Sequence, residues 1–336
     1  MPSVWETLEE ALESHPEPRV LGSGLKLKDR INAQEDAKAL KEAMKGLGTN
    51  EKVLVEILTQ RSNAQRQQIR EAYEKLTDHK LERDLKSELK GHLEDALVAL
   101  VQTPAEFDCH ELMRAMKGAG SKESILIEIF ASRTNEQIRA LSDAYLKETE
   151  HLLIRDLRRD VSGDFSKALL LLLEAKRDES VTVDERLARK DAKALQQAAE
   201  KKWGTDEDKF IEILCERSMC QLRQTCVEYR KLAGKTLQKS IESEMKGDLE
   251  ALLVAIVKCV KSTPAYFAEE LHKSMKGGGT CESTLSRIMV SRSEIDMMDI
   301  RKNYRLFKQH SLYSAIDSDV SGDYGDCMKA LCGGDN

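Results

Sequence analysis

The sequence predicts an all-α fold of four similar five-helix repeats, and three observations carry that reading. The hexapeptide Met44-Lys45-Gly46-Leu47-Gly48-Thr49 returns as Met116-Lys117-Gly118-Ala119-Gly120-Ser121 and as Met275-Lys276-Gly277-Gly278-Gly279-Thr280. A degenerate copy, Lys201-Lys202-Trp203-Gly204-Thr205, stands between the last two. Other residues keep step with these loops. Thirteen residues beyond the last glycine of each copy is an arginine (Arg61, Arg133, Arg217, Arg292), and forty beyond is an acid (Glu88, Asp160, Glu244, Asp319). Three residues past each acid comes another glycine: Gly91, Gly163, Gly247 and Gly322. Self-similarity at a fixed period marks a repeat architecture. Finally, only 4% of the 336 residues are aromatic, 33% are charged and five are proline. An aliphatic core with few helix breakers suits packed helices. Repeats of roughly 70 residues lie near the lower limit for folding alone, so neighbours should bury faces against each other.

Residues 1–34 stand outside the repeat. Trp5, Leu8 and Leu12 fall on one face of a short helix, which Pro16, Pro18 and two glycines then break. That face either rests on the body of the protein or receives a protein partner. The first repeat, 35–104, opens with a helix over 36–45 that closes at Gly46, where glycine suits a left-handed turn. Thr49 is expected to cap the second helix, with Glu51 in its first turn. Val53, Leu54, Ile57 and Leu58 recur at helical spacing and give that helix its buried face. Asn63 is expected to cap a third helix through Ile69 and Tyr73, and a fourth runs through Leu81 and Leu85 to about residue 89. After Gly91, a fifth helix carries Leu93, Ala96, Leu97 and Leu100 toward Pro104. The scheme recurs in 107–176, 191–262 and 266–336. Extra length between the second and third copies falls in a polar linker, 177–190.

Bulk properties exclude several functions. The net charge is −6 with no basic block, which argues against nucleic acid and against metal-free binding to an anionic membrane. The amino-terminal residues carry neither a basic nor an apolar signal region, and Pro2 excludes N-myristoylation. The longest apolar run, 168–173, is too short to cross a bilayer. Eight cysteines without a C-x-x-C pair are expected as reduced thiols of a cytoplasmic protein, although Cys215 and Cys259 could meet within the third repeat. Seven dispersed histidines and no nucleophile–base pair point away from an enzyme.

The repeated loop has a chemistry of its own. A helix C-terminus leaves carbonyl oxygens without intrahelical partners, and glycines let several of them converge. Taken alone, a glycine turn between helices is only a turn. The acid at a constant offset in four copies turns it into a candidate all-oxygen pocket. Hard oxygen donors in flexible geometry suit Ca2+, and one carboxylate per site implies weak affinity, roughly 10⁻⁵ to 10⁻³ M. Open positions would be left for water or a lipid phosphate, so calcium would bridge an acidic protein to an acidic membrane. The four arginines, each ending an apolar helix, read as structural groups bonding nearby carbonyls. Rival motifs fail on context. The G-x-G follows a helix, Gly118-Ala119-Gly120-Ser121-Lys122 lacks P-loop spacing, and no D-x-D-x-D-G loop is present.

With the M-K-G-x-G-T loop, the helix ending in Ser-Arg and the D/E-x-x-G turn, the chain resembles the annexin family over about residues 35–336. The resemblance implies a slightly curved disc with calcium sites on its convex face and the tail on the concave side. It implies calcium-dependent binding to acidic phospholipids such as phosphatidylserine, at the inner face of membranes when calcium rises, in membrane organisation, trafficking or exocytosis. It also implies ligands, namely carbonyls of Met44, Gly46 and Gly48 with the carboxylate of Glu88, and of Met116, Gly118 and Gly120 with Asp160. Met275, Gly277 and Gly279 would serve with Asp319, and Ala199, Lys202 and Gly204 with Glu244. Ala199 takes a place often held by glycine, so the third site departs most from the pattern. Trp203, at the third loop, is expected to meet lipid, since indole suits a membrane interface. The alternative is a partner-binding scaffold acting mainly through the tail.

Overall fold

The computed structural model describes residues 4–12, 20–25, 27–46, 48–117, 122–200, 204–277 and 279–335. Among these, all regular structure is helical, arranged as four repeats. A tail helix, α1 (Val4–Leu12), precedes them. The first repeat comprises α2 (Ala33–Ala43), α3 (Glu51–Thr59), α4 (Asn63–Thr77), α5 (Leu81–Glu88) and α6 (Gly91–Val101). The second comprises α7 (Pro104–Met116), α8 (Glu123–Ser132), α9 (Asn135–Thr149), α10 (Leu153–Asp160) and α11 (Gly163–Leu173). The third continues with α12 (Glu185–Ala199), α13 (Glu207–Glu216), α14 (Met219–Ala233), α15 (Leu237–Glu244) and the first half of α16 (Gly247–Ser274). The second half of α16 opens the fourth, followed by α17 (Glu282–Arg292), α18 (Met297–Lys308), α19 (Leu312–Asp319) and α20 (Gly322–Cys332).

The apolar positions at helical spacing form the core. In the first repeat Leu40, Leu54, Leu58, Ile69, Leu85, Leu97 and Leu100 are fully buried. Each such side chain contributes about 1.5–3 kcal/mol relative to exposure. Two caps differ from expectation by one residue. The hydroxyl of Thr49 donates to the Glu88 carbonyl at 3.5 Å, so Asn50 caps α3 instead, accepting from the Val53 N–H. Ser62, not Asn63, caps α4, in a reciprocal capping box with Gln65.

The 28 residues of α16 are apolar and long enough to cross a membrane by length and composition alone. Ser262 is non-helical, however (φ −166°, ψ 107°), and its hydroxyl accepts the Ala265 N–H as the cap of a new helix with Pro264 in its first turn. Each half falls short of the roughly 20 residues a span requires. This is a pair of core helices.

The chain divides into two compact units. One holds Met1–Pro18 and Asp108–Tyr266. There α11 packs on α13 and α12 on α14. The linker is pinned to both of its neighbours: Glu179 accepts the Asn135 N–H at 2.8 Å, and the Asp178 N–H reaches the Glu216 carbonyl at 2.9 Å. The tail helix lies on α14. Trp5 is buried beneath the Lys258 ammonium, Glu9 pairs with Lys261 at 2.6 Å with both side chains 1% exposed, and Glu10 pairs with Arg230. The face of Trp5 therefore rests on the body. Cys215 and Cys259 are both buried as free thiols, and burial pushes Cys215 up to about 12.

The other unit holds Arg19–Phe107 and Phe267–Asn336. In it α6 packs on α17 and α3 on α20. Glu294 accepts the Asn63 N–H at the start of α4 and pairs with the buried Arg66 at 2.7 Å, joining the first repeat to the fourth.

Candidate calcium and lipid sites

Each loop is closed by one backbone hydrogen bond. The N–H of Asn50 donates to the Ala43 carbonyl at 2.8 Å, and Lys122 to Ala115, Asp206 to Ala198 and Cys281 to Ser274 do the same at 3.1, 3.0 and 2.7 Å. The third loop is one residue longer than the others, which places Ala199 beside its closing carbonyl as Met44 sits beside Ala43. Within the closed loops the N–H groups of Met44, Lys45, Met275 and Lys276 still bond back to carbonyls of the preceding helix. Among the described residues, no donor is bonded to the carbonyls of Met44, Gly46, Gly48, Met275, Gly277 or Gly279. Gly46 and Gly48 both hold left-handed backbone, φ +99° and +95°. A Cβ at either would meet nothing within 4 Å, so the backbone conformation, not space, calls for glycine there.

The acids arrive at these loops as the last residues of α5, α10, α15 and α19. Thr49 donates to the Glu88 carbonyl, Thr205 to the Glu244 carbonyl at 3.3 Å, and Thr280 to the Asp319 carboxylate at 2.5 Å. In the second repeat Met116 and Asp160 line one cavity of ≈ 520 Å3. Glu244 also has a cation nearby: Ser243 donates to it at 3.1 Å and Lys235 stands 3.9 Å away. Gly118, Gly120, Lys202 and Trp203 lie outside the described residues.

Two further repeated contacts hold this frame, and sequence reasoning missed both. Arg61 grips Asp36 through two hydrogen bonds (2.7 and 2.8 Å), Arg133 grips Asp108 (both 2.8 Å), and Arg217 grips Asp191 (2.7 and 3.3 Å). All three clamp the first two helices of a repeat on the side away from the loop. In the fourth repeat the aspartate position is Phe267. Arg292 stacks on its ring at 4.6 Å and turns to Asp296 instead. The arginines are structural as expected, but carboxylates, not carbonyls, are their main partners. The constant spacing from Asp36, Asp108 and Asp191 to the following loop was the available signal.

A second contact steadies the acid-bearing helix. Tyr73 donates to Asp84 at 2.8 Å, Tyr145 to Asp156 at 2.9 Å, and Tyr229 to Ser240 at 2.7 Å, each eleven residues on. The Tyr145 hydroxyl, opposed by burial and helped by His151, holds Asp156 below the usual carboxylate range.

Among the described residues no three His, Cys, Asp or Glu side chains gather as a metal cluster. A cation here would depend on main-chain oxygens with one carboxylate. That donor set is all hard oxygen and fits calcium better than zinc or copper.

The sequence model of the family described as Annexin matches residues 35–100, 107–172, 190–256 and 266–331. The chain belongs to the annexin family. Human annexin A3 is 52% identical over 301 residues, covering 90% of this chain and 93% of the relative. A solved structure of annexin III superposes with a TM-score of 0.92 at 50% identity, covering 94% of this chain and 98% of that one. A calcium-bound annexin (Sm)1 structure superposes at 0.83 with 35% identity, covering 94% of each. Annexins are binding proteins, not enzymes. Their general property, calcium-dependent peripheral association with phospholipid membranes, is the functional frame for this chain.

Proposed function

We propose that this annexin binds acidic phospholipid, phosphatidylserine above all, by sharing calcium between its interhelical loops and lipid phosphate. The observation that carries this is the repeated meeting of loop and acid, Thr49 with Glu88, Thr205 with Glu244 and Thr280 with Asp319. When bound, calcium would supply the positive charge that an acidic chain of net charge −6 lacks toward an anionic surface. The protein's part is to hold the oxygens in place before the ion arrives. The carbonyls of Met44, Gly46 and Gly48 with Glu88 form the first set, and those of Met275, Gly277 and Gly279 with Asp319 the fourth. Met116, Gly118 and Gly120 with Asp160, and Ala199, Lys202 and Gly204 with Glu244, complete the reading. Lys235 makes the third set the weakest, because its ammonium repels an incoming cation. Trp203 belongs to this reading as the lipid-facing residue of the third loop.

The repeat bounds 35–104, 107–176, 191–262 and 266–336, with 177–190 as linker, belong to the same proposal. So does exchange between cytoplasm and the inner membrane face as calcium rises, serving membrane organisation, trafficking or exocytosis. A tail-centred scaffold is disfavoured by the burial of Trp5 and Glu9 against the body.

The test is co-sedimentation with phosphatidylserine vesicles across a calcium titration, followed by chelator. Pelleting that requires calcium and reverses supports the reading, and protein that stays in solution at millimolar calcium ends it. Deleting residues 1–12 should leave the pelleting curve in place, whereas a tail-centred scaffold would lose its main activity.

A further inference from the structure

The four acid-bearing helices are not alike in charge. The second, α10, carries Arg155, Arg158 and Arg159 against two aspartates. Its counterparts carry two bases against three acids (α5), one against two (α15) and none against two (α19). The difference is sharpest just before the acid. Three repeats have serine there (Ser87, Ser243, Ser318), and the second has Arg159.

Arg159 opens onto the ≈ 520 Å3 cavity that also holds Met116, Lys117, His151, Asp156 and Asp160. Its side chain is 75% exposed, and Asp156 stands 3.9 Å away. Asp156 is meanwhile occupied by the Tyr145 hydroxyl at 2.9 Å and by His151 at 3.2 Å. The guanidinium is therefore held loosely, beside the residues that would share a lipid-bound calcium.

We propose that Arg159 is the headgroup-selecting residue of this protein, and that the second repeat recognises a phosphate ester bearing a further carboxylate, the phosphatidylserine headgroup. The inference rests on the proposed calcium-dependent membrane reading and adds to it which repeat distinguishes one acidic lipid from another. A guanidinium pairs with a carboxylate through two parallel hydrogen bonds. A headgroup with only hydroxyls offers no such partner, and one ending in a quaternary ammonium would be repelled. Lys117 adds a second positive charge at the same mouth, but its counterparts Lys45 and Lys276 occur in other repeats. Only Arg159 separates the second repeat from the rest.

The experiment compares phosphatidylserine with phosphatidylglycerol, each mixed into phosphatidylcholine vesicles at the same mole fraction. The two headgroups carry the same net charge, and only the first has a carboxylate. Arg159→Ser should raise the calcium needed for half-maximal pelleting on phosphatidylserine by roughly three- to tenfold and leave phosphatidylglycerol unchanged. Ser87→Arg, placing the same group in the first repeat, should shift the phosphatidylserine curve the other way. An equal shift on both lipids would mean that α10 acts only as surface charge, and no shift would mean that Arg159 is idle; either overturns the proposal. Glycerophosphoserine that blocks vesicle binding at micromolar concentration would reassign the site to a free phosphate ester and overturn the lipid assignment. Failure of the underlying reading looks different. The unmodified protein would then not pellet with calcium on either lipid, and Asp160→Asn would change nothing.

Discussion

At the scale of single residues, the arginine–aspartate clamps should dominate stability. The Arg133 side chain is 3% exposed and Asp108 9%, joined by two hydrogen bonds. Removing one member of a buried pair strands the other charge, which costs about 3–5 kcal/mol. Asp108→Ala should lose stability on that scale in urea denaturation, while Ser318→Ala on the surface should stay within about 0.5 kcal/mol. Asp156 makes a separate, pH-dependent prediction. Its folded pKa lies below the ordinary aspartate value, so its contribution is present above about pH 3.9 and fades as pH falls through the folded pKa. Tyr145→Phe removes the largest cause, so the Asp156 carboxyl should titrate at higher pH by NMR, closer to an unpaired aspartate. The clamp was half legible. The arginines stood out as a periodic set, but their partners lie before the loop, where Asp36 and Asp108 read as ordinary helix-start acids and Phe267 breaks the series.

At the scale of elements, helix number and type followed from apolar spacing, whereas cap positions depended on contacts distant in sequence. Thr49 has the right chemistry to cap α3, but its hydroxyl turns to Glu88, 39 residues away, and the cap passes to Asn50. No local pattern announces that. The break in α16 was legible in principle, since Ser262 and Pro264 form a helix start inside an apolar stretch. The same logic isolates a weak cap. Asn50 and Asp206 accept backbone N–H groups at the starts of α3 and α13, but Cys281 gives α17 no such bond. Cys281→Asp should therefore stabilise the protein by about 0.5–1 kcal/mol, read as a higher midpoint in thermal or urea unfolding. Asn50→Ala should lose a comparable amount.

For the molecule as a whole, the proposed function rests on multiplicity, because in that reading each set of oxygens offers one carboxylate and would bind calcium weakly by itself. Sites that engage one surface together gain avidity beyond any single contact. In the unit formed by the first and fourth repeats, Glu88 and Asp319 open onto one cavity of ≈ 670 Å3, along with Glu51, Glu282 and Asp323. Five carboxylates around one opening, opposed by Lys90, leave a local field that favours cations before any lipid is present. Calcium alone should therefore stabilise the folded chain. With a dissociation constant near 1 mM, about 10 mM calcium contributes roughly 1.4 kcal/mol per site. Glu88→Gln with Asp319→Asn removes both acids supplied by α5 and α19 and relieves part of their mutual repulsion. That variant should melt no lower than the parent in chelator, yet gain clearly less when calcium is added, and should need more calcium to pellet on phosphatidylserine. The rise on adding calcium, followed by scanning calorimetry, separates ion binding from membrane binding. Equal rises in parent and variant would place the cation elsewhere, since nothing but the two acids would have changed.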